Sequence, residues 1–216
     1  MNISENIKKF TSELGPAITL VAISKTKPYE DILEAYQAGQ RHFGENKVQE
    51  MTDKWEQLPK DIKWHMVGHV QTNKVKYMAP FVDLVHAVDS MKLLKEIDKE
   101  AGKNNRSINC LLQIKIAEED SKFGLDREGA LKIMNSVKIS EFKNINVRGL
   151  MGMATFTDDM QQVKREFQTL KEIFDELKSN NPEFDTLSMG MSGDYKIAVE
   201  CGSNMVRIGS SIFGER

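Results

Sequence analysis

Cysteine is scarce in this chain. Of 216 residues only Cys110 and Cys201 carry thiols, and neither belongs to a CxxC pair. That excludes a disulfide scaffold and reads as two reduced thiols in a cytoplasmic protein. An excess of charge is missing too. Thirty Lys and Arg stand against 32 Asp and Glu, a formal net charge of −2. Such a balance gives no electrostatic footprint for nucleic acid or an anionic membrane. No apolar run approaches the roughly 18 residues a membrane span needs. The first ten residues are polar and amphipathic, without the apolar region of a signal peptide. No linker or low-complexity stretch interrupts the chain, and no GxGxxG follows the first strand. His65 and His69 are four apart, but on a strand and its turn, so they do not form an HExxH-type pair, and no metal is expected. What is present is 40% hydrophobic and 29% charged, enough for one α/β domain over residues 1–216.

Periodicity orders the chain. Ile3, Ile7, Phe10 and Leu14 mark an amphipathic N-terminal helix that ends at Gly15-Pro16. Leu20-Val21-Ala22-Ile23 reads as a buried strand, followed by a helix from Pro28 to Ala38. His42-Phe43, Lys63 to Val67, Val82 to Val88, Ile108 to Ile116, Val147 to Met151, Thr186 to Met189 and Met205 to Ile208 read as seven further strands. Helical segments fall at about 47–57, 71–79, 91–102, 127–137, 159–180 and from Ser192 to Glu200, with Ser90 and Asp126 as caps. Ile108 to Ile116 is the longest predicted strand. Strand–helix alternation implies a parallel sheet, and eight repeats imply closure into a single (β/α)8 TIM barrel. An open doubly wound sheet is the alternative, though it usually has fewer strands. Gly209 to Arg216 reads as a short tail without an eighth helix, so the N-terminal helix (residues 1–15) is expected to pack over that position.

In such a barrel, chemistry sits at the C-terminal ends of the strands. The exits offer Lys25 and Lys27, Glu45 and Asn46, His69, Lys122, Met151 and Met153, Met189, Met191 and Ser192, and Arg207, Gly209 and Ser210. Lys25 follows the first strand directly. Partial desolvation there would lower its pKa and free a lone pair for a Schiff base. A lysine that snorkels to solvent is the ordinary alternative. Ser192-Gly193 at a helix start, with Gly209-Ser210 after strand eight, matches the usual phosphate position of these barrels. Arg207, inside a strand, needs an acceptor: an acidic neighbour, or a ring nitrogen or carboxylate of a ligand. His69 could stack on a flat ligand or stand as a polar strand-end residue with no ligand.

Several ordered motifs narrow the choice. Ala22-Ile23-Ser24-Lys25-Thr26-Lys27-Pro28, Phe43-Gly44-Glu45-Asn46, the run from Trp64 to Lys74, Ser188-Met189-Gly190-Met191-Ser192 and Val206 to Gly214 resemble the pyridoxal phosphate homeostasis protein family, in register from about residue 16 onward. The resemblance implies the barrel of the alanine racemase N-terminal domain and pyridoxal 5′-phosphate (PLP) as cofactor, held as a covalent aldimine at Lys25. It further implies Ser192, Gly209 and Ser210 around the phosphate, Arg207 facing the pyridine nitrogen, and Asn46, Met189 and His69 beside the ring. Lys47 stands where the family often has Tyr, Ser210 where Thr is frequent, and Asn204 where Thr is common.

PLP enzymes that form a carbanion usually place an acid opposite the pyridine nitrogen. An arginine there disfavours protonation and weakens the electron sink. The expectation is therefore a monomeric PLP carrier in the cytoplasm, with PLP-dependent apoenzymes as candidate partners and without robust turnover. A weak PLP-dependent amino-acid racemase and a class I aldolase-like Schiff-base enzyme are the alternatives. Lys27 and Lys122 are either solvated lysines or transient acceptors of PLP from Lys25.

Overall fold

Short runs of branched and aromatic residues, each closed by a polar turn, form the eight strands. They are β1 (Thr19–Ile23), β2 (His42–Glu45), β3 (Lys63–Met66), β4 (Val82–Val88), β5 (Ile108–Ile114), β6 (Ile145–Gly152), β7 (Thr186–Ser188) and β8 (Met205–Ile208). In the computed structural model, which describes residues 2–118 and 123–214, they pair in parallel and in sequence order as a closed barrel. The seam is made by Val21 opposite Arg207 and Ala22 opposite Ile208. Lys122 lies outside the described residues.

Helices form the outer layer: α1 (Ile3–Leu14), α2 (Tyr29–Gln37), α3 (Val48–Gln57), a 3-10 turn (Thr72–Lys74) running into α4 (Val75–Met78), α5 (Met91–Lys103), α6 (Arg127–Met134), α7 (Val137–Glu141), α8 (Met160–Lys178), α9 (Tyr195–Glu200) and α10 (Ser210–Phe213). Their starts follow from local chemistry. Ser90, Asp126 and Asp159 each accept a backbone N–H of the first turn, which satisfies donors a helix cannot satisfy itself. Among the described residues no helix is long and apolar enough to cross a membrane.

Alternation along the strands divides the interior. One face of the strands and the apolar stripes of the helices share the main core, which includes Phe43, Trp64, Leu112, Leu150 and Phe167. A smaller apolar group, Val21, Leu84, Ala87, Leu111, Met151 and Met205, comes from positions facing the barrel axis.

The helix layer closes much as expected from the sequence, except that the segment expected at 127–137 is two helices, α6 and α7, and that the end of the chain differs. After β8 the chain forms the one-turn helix α10 rather than an unstructured tail, too short to leave a periodic signal. The first helix lies beside it. Asn6 donates to the Ile212 carbonyl (3.0 Å), Ser4 N–H donates to Glu34 of α2 (2.9 Å), and Phe10 meets Tyr195 of α9 edge-on at 5.6 Å. Burial of Ile3, Ile7 and Phe10 contributes roughly 6 kcal/mol gross, at about 2 kcal/mol per side chain. Two further boundaries move. β6, with eight residues, is longer than the seven of β5, because Ile145 and Asn146 pair with Ile108 and Asn109. β5 stops at Ile114, where the loop folds back and Leu125 exchanges backbone bonds with Lys115 and Gln113 (both 2.8 Å).

Candidate functional site

A cavity of about 520 Å³ opens at the C-terminal ends of β1, β6, β7 and β8, with Lys25, Thr155, Ser192, Arg207, Gly209 and Ser210 in its wall. Each of these is delivered by a separate local device.

Lys25 sits in a reverse turn. The Lys27 N–H donates to the Ser24 carbonyl (3.0 Å), and Thr26 takes φ 64°, a left-handed conformation that a non-glycine residue adopts at about 1 kcal/mol. A buried network fixes that turn. The Lys54 ammonium, from α3, donates to the Ser24 carbonyl (2.8 Å), Glu45 (2.8 Å) and Glu50 (2.7 Å). Glu45 also accepts from the Ser24 hydroxyl (2.6 Å), and Glu50 from the Thr26 N–H (2.5 Å). Burial pushes the Glu45 carboxyl above its ordinary value despite Lys54. For Glu50 burial acts upward too, but the bonds from Lys54 and Thr26 outweigh it and hold the carboxyl below its ordinary value.

Across the cavity, two loops meet. The Gly209 N–H points to the Ser192 hydroxyl at 3.4 Å. The backbone N–H groups of Ser192, Gly193 and Ser210 have no acceptor among the described residues. Together with the Ser210 hydroxyl and the Ser192 hydroxyl, which accepts from Gly209, they form a donor set without an acceptor among the described residues, which suits a phosphate. Ser192-Gly193 does not start a helix as expected; it forms the turn before α9, which begins at Tyr195. Asp194 makes that turn by accepting the Met191 N–H (2.5 Å). Gly190, at φ 97°, is needed there: a Cβ would lie 2.6 Å from the Ala198 Cβ. Lys27 is a stitch between the two walls, donating to the Phe213 (2.9 Å) and Gly214 (3.1 Å) carbonyls at the end of α10.

Arg207 projects inward from β8 and is only 4% exposed. One terminal nitrogen donates to the Ser188 carbonyl (2.9 Å) and hydroxyl (2.6 Å), and the other to the Gly152 carbonyl (3.0 Å). Its Nε has no acceptor among the described residues. Burial lowers its pKa to about 10, with Asp194 opposing, so it stays a cation at neutral pH. On the open side, Glu166 of α8 pins the loop after β6 by accepting the Thr155 N–H (2.6 Å) and hydroxyl (2.7 Å), and Phe156 beside it is 97% exposed.

Five residues expected from the sequence therefore converge: Lys25, Ser192, Arg207, Gly209 and Ser210. Three do not line the cavity. Met189 is fully buried in the main core, because the inward position of β7 is its neighbour Ser188, while Met191 reaches the cavity. Asn46 is exposed at the exit of β2, where its backbone lies too close to Gly68 for a Cβ to fit. His69 stands 3.3 Å from Asp89, with its ring stacked on Phe123 at 5.6 Å. Ser188, Lys54 and Glu166 were not singled out from the sequence. Strand alternation would have found Ser188, two places before Gly190 and inward like Arg207.

The model of the alanine racemase N-terminal domain matches residues 1–216. A pyridoxal phosphate homeostasis protein of Vibrio alginolyticus is 38% identical, over 100% of this chain and 98% of its own. Another, of Aquifex aeolicus, is 40% identical over 99% of this chain and 95% of its own. The chain belongs to the pyridoxal phosphate homeostasis protein family. Within that family, the solved structure of Synechococcus elongatus PipY with PLP bound superposes with a TM-score of 0.88 at 34% identity, covering 98% of this chain and 100% of that one. The alanine racemase of Clostridium difficile, at 13% identity, a TM-score of 0.84 and coverage of 57% of its own length, shares the fold alone.

Proposed function

We propose that this chain binds PLP in the cavity and serves PLP homeostasis as a carrier of the cofactor. The observation that carries the reading is the convergence, in one cavity, of a turn-mounted amine, an unengaged set of backbone donors with two hydroxyls, and a buried guanidinium. PLP, when bound, supplies an aldehyde for an amine and a dianionic phosphate for donors. Lys25 provides the amine and forms the Schiff base. Ser192, Gly209 and Ser210 hold the phosphate. Arg207 faces the ring nitrogen and keeps it unprotonated, which weakens the electron sink and favours storage over turnover. We read residues 1–216 as one PLP-binding domain, monomeric and cytoplasmic, that hands its cofactor to PLP-dependent apoenzymes.

The test is an absorbance spectrum of purified protein before and after borohydride, with mapping of the reduced adduct. The reading expects a yellow preparation that borohydride bleaches, with the label on Lys25, and a colourless Lys25→Ala protein. A label elsewhere, or an unchanged spectrum in Lys25→Ala, overturns the assignment. Exchange of a substrate α-hydrogen with solvent deuterium at catalytic rates would replace the carrier reading with a racemase.

A further inference from the structure

The barrel interior contains a polar line that the cavity alone does not account for. His42, on β2, places Nδ1 2.9 Å from Nε2 of His65 on β3. His65 Nδ1 lies 2.8 Å from Nε2 of His86 on β4, and His86 Nδ1 lies 3.1 Å from the Ser188 hydroxyl on β7. Ser188 in turn takes Arg207 at 2.6 Å. His65 and His86 are buried, while His42, the first residue of its strand, is partly exposed at the opposite end of the barrel from the cavity.

We propose that His42, His65 and His86 are positioning residues that, through Ser188, lock the Arg207 guanidinium in the orientation the cavity ligand meets. The direction of the line follows from its charged end. Arg207 can only donate, so the Ser188 oxygen accepts, and its own hydrogen goes to His86 Nδ1. His86 must then carry its proton on Nε2 and donate to His65. His65 carries its proton on Nε2 and donates to His42, which accepts at Nδ1. Each link holds one proton, and every imidazole is neutral. The reverse order would leave the Ser188 hydrogen with no acceptor among the described residues. Neutrality agrees with the surroundings. Burial holds His65 and His86 well below the ordinary imidazole range, and the further charges facing the line are Lys63 and Asp83 at His42, Lys63 at His65 and Arg207 at His86. An apolar residue at His86 would free the serine hydroxyl to turn and loosen one of the three bonds that hold Arg207, leaving those to the Ser188 and Gly152 carbonyls.

Two measurements decide the matter, and only the second rests on PLP occupying the cavity. Long-range 15N–1H spectra of the ligand-free protein should show His65 and His86 as Nε2–H tautomers at pH 7. An Nδ1–H tautomer at either overturns the line, whatever the ligand. In His86→Phe, affinity for PLP should fall roughly tenfold, the scale of one hydrogen bond to a charged group, and the visible band should shift. Affinity for inorganic phosphate should hold, since its donors lie on other loops. His86→Asn, which keeps an acceptor near the Nδ1 position, should restore PLP affinity to within about threefold. Unchanged PLP binding in His86→Phe, or parallel loss of phosphate binding, overturns the positioning role. If the parent protein binds phosphate but not PLP, the proposed function fails and the tautomer result still stands.

Discussion

Replacing Lys54 by Met tests the network beneath the turn that carries Lys25. Lys54 is 3% exposed and Glu45 is fully buried, so the ion pair between them is shielded from solvent. The methionine keeps most of the volume and removes the charge. Glu45 then retains only the Ser24 hydroxyl, with its second oxygen already lacking a partner among the described residues. Breaking a buried pair from one side typically costs about 3–5 kcal/mol. At an m-value of about 2 kcal/mol per M, the urea midpoint should fall by about 1.5–2.5 M at pH 7. The loss should shrink on acidification. A carboxyl whose folded pKa is raised binds its proton more readily in the native state, so its penalty is present at high pH and fades as pH falls toward the unfolded value near 4.5. In a Glu45→Gln background the same substitution should cost less than about 2 kcal/mol, since the fully buried carboxylate is gone and the one left without Lys54, Glu50, is partly exposed. Urea unfolding of the four proteins at pH 7 and 5.5 supplies the comparison. An equal loss with and without the Glu45 carboxylate would refute the account.

Acid should destabilise the parent protein through its buried imidazoles. His65 and His86 have depressed folded pKa values, so their stability contribution is complete above the unfolded value near 6.5 and is lost as pH falls below it. Two such groups give a slope of up to about 2.7 kcal/mol per pH unit, offset by at most one proton from Glu45; unfolding free energies that are flat or rise between pH 6.5 and 5 would contradict this. Gly190→Ala should destabilise by roughly 2–4 kcal/mol, from its positive φ and from the clash with Ala198 and Tyr195. It should also weaken inorganic phosphate binding by displacing Ser192, which calorimetric titration would show.

The barrel was legible because its strands are short apolar runs cut by turns, a signal that needs no knowledge of the partner strand. Lys25, Arg207 and the serines of the last two loops were legible for the same reason: strand exits can be counted along the chain. What depends on contacts across the barrel was not. Lys54 reads as a surface lysine of an amphipathic helix until Ser24, 30 residues away, is seen to accept from it. The three histidines look unrelated until parallel pairing sets β2, β3 and β4 side by side. Met189, which the resemblance puts beside the ring, lies in the outer core because the inward position is one step earlier, at Ser188.

The seat of α1 has a consequence for assembly. The bond from Asn6 to Ile212 joins positions 206 apart, and bringing such distant segments together costs about 5 kcal/mol of chain entropy. That latch ties the segment before β1 to the segment after β8, across the seam where those two strands pair. The Lys25 amine and the donors of Gly209 and Ser210 leave β1 and β8, the two strands of this same seam, so a chain that has not closed its barrel keeps its lysines but lacks the assembled phosphate seat.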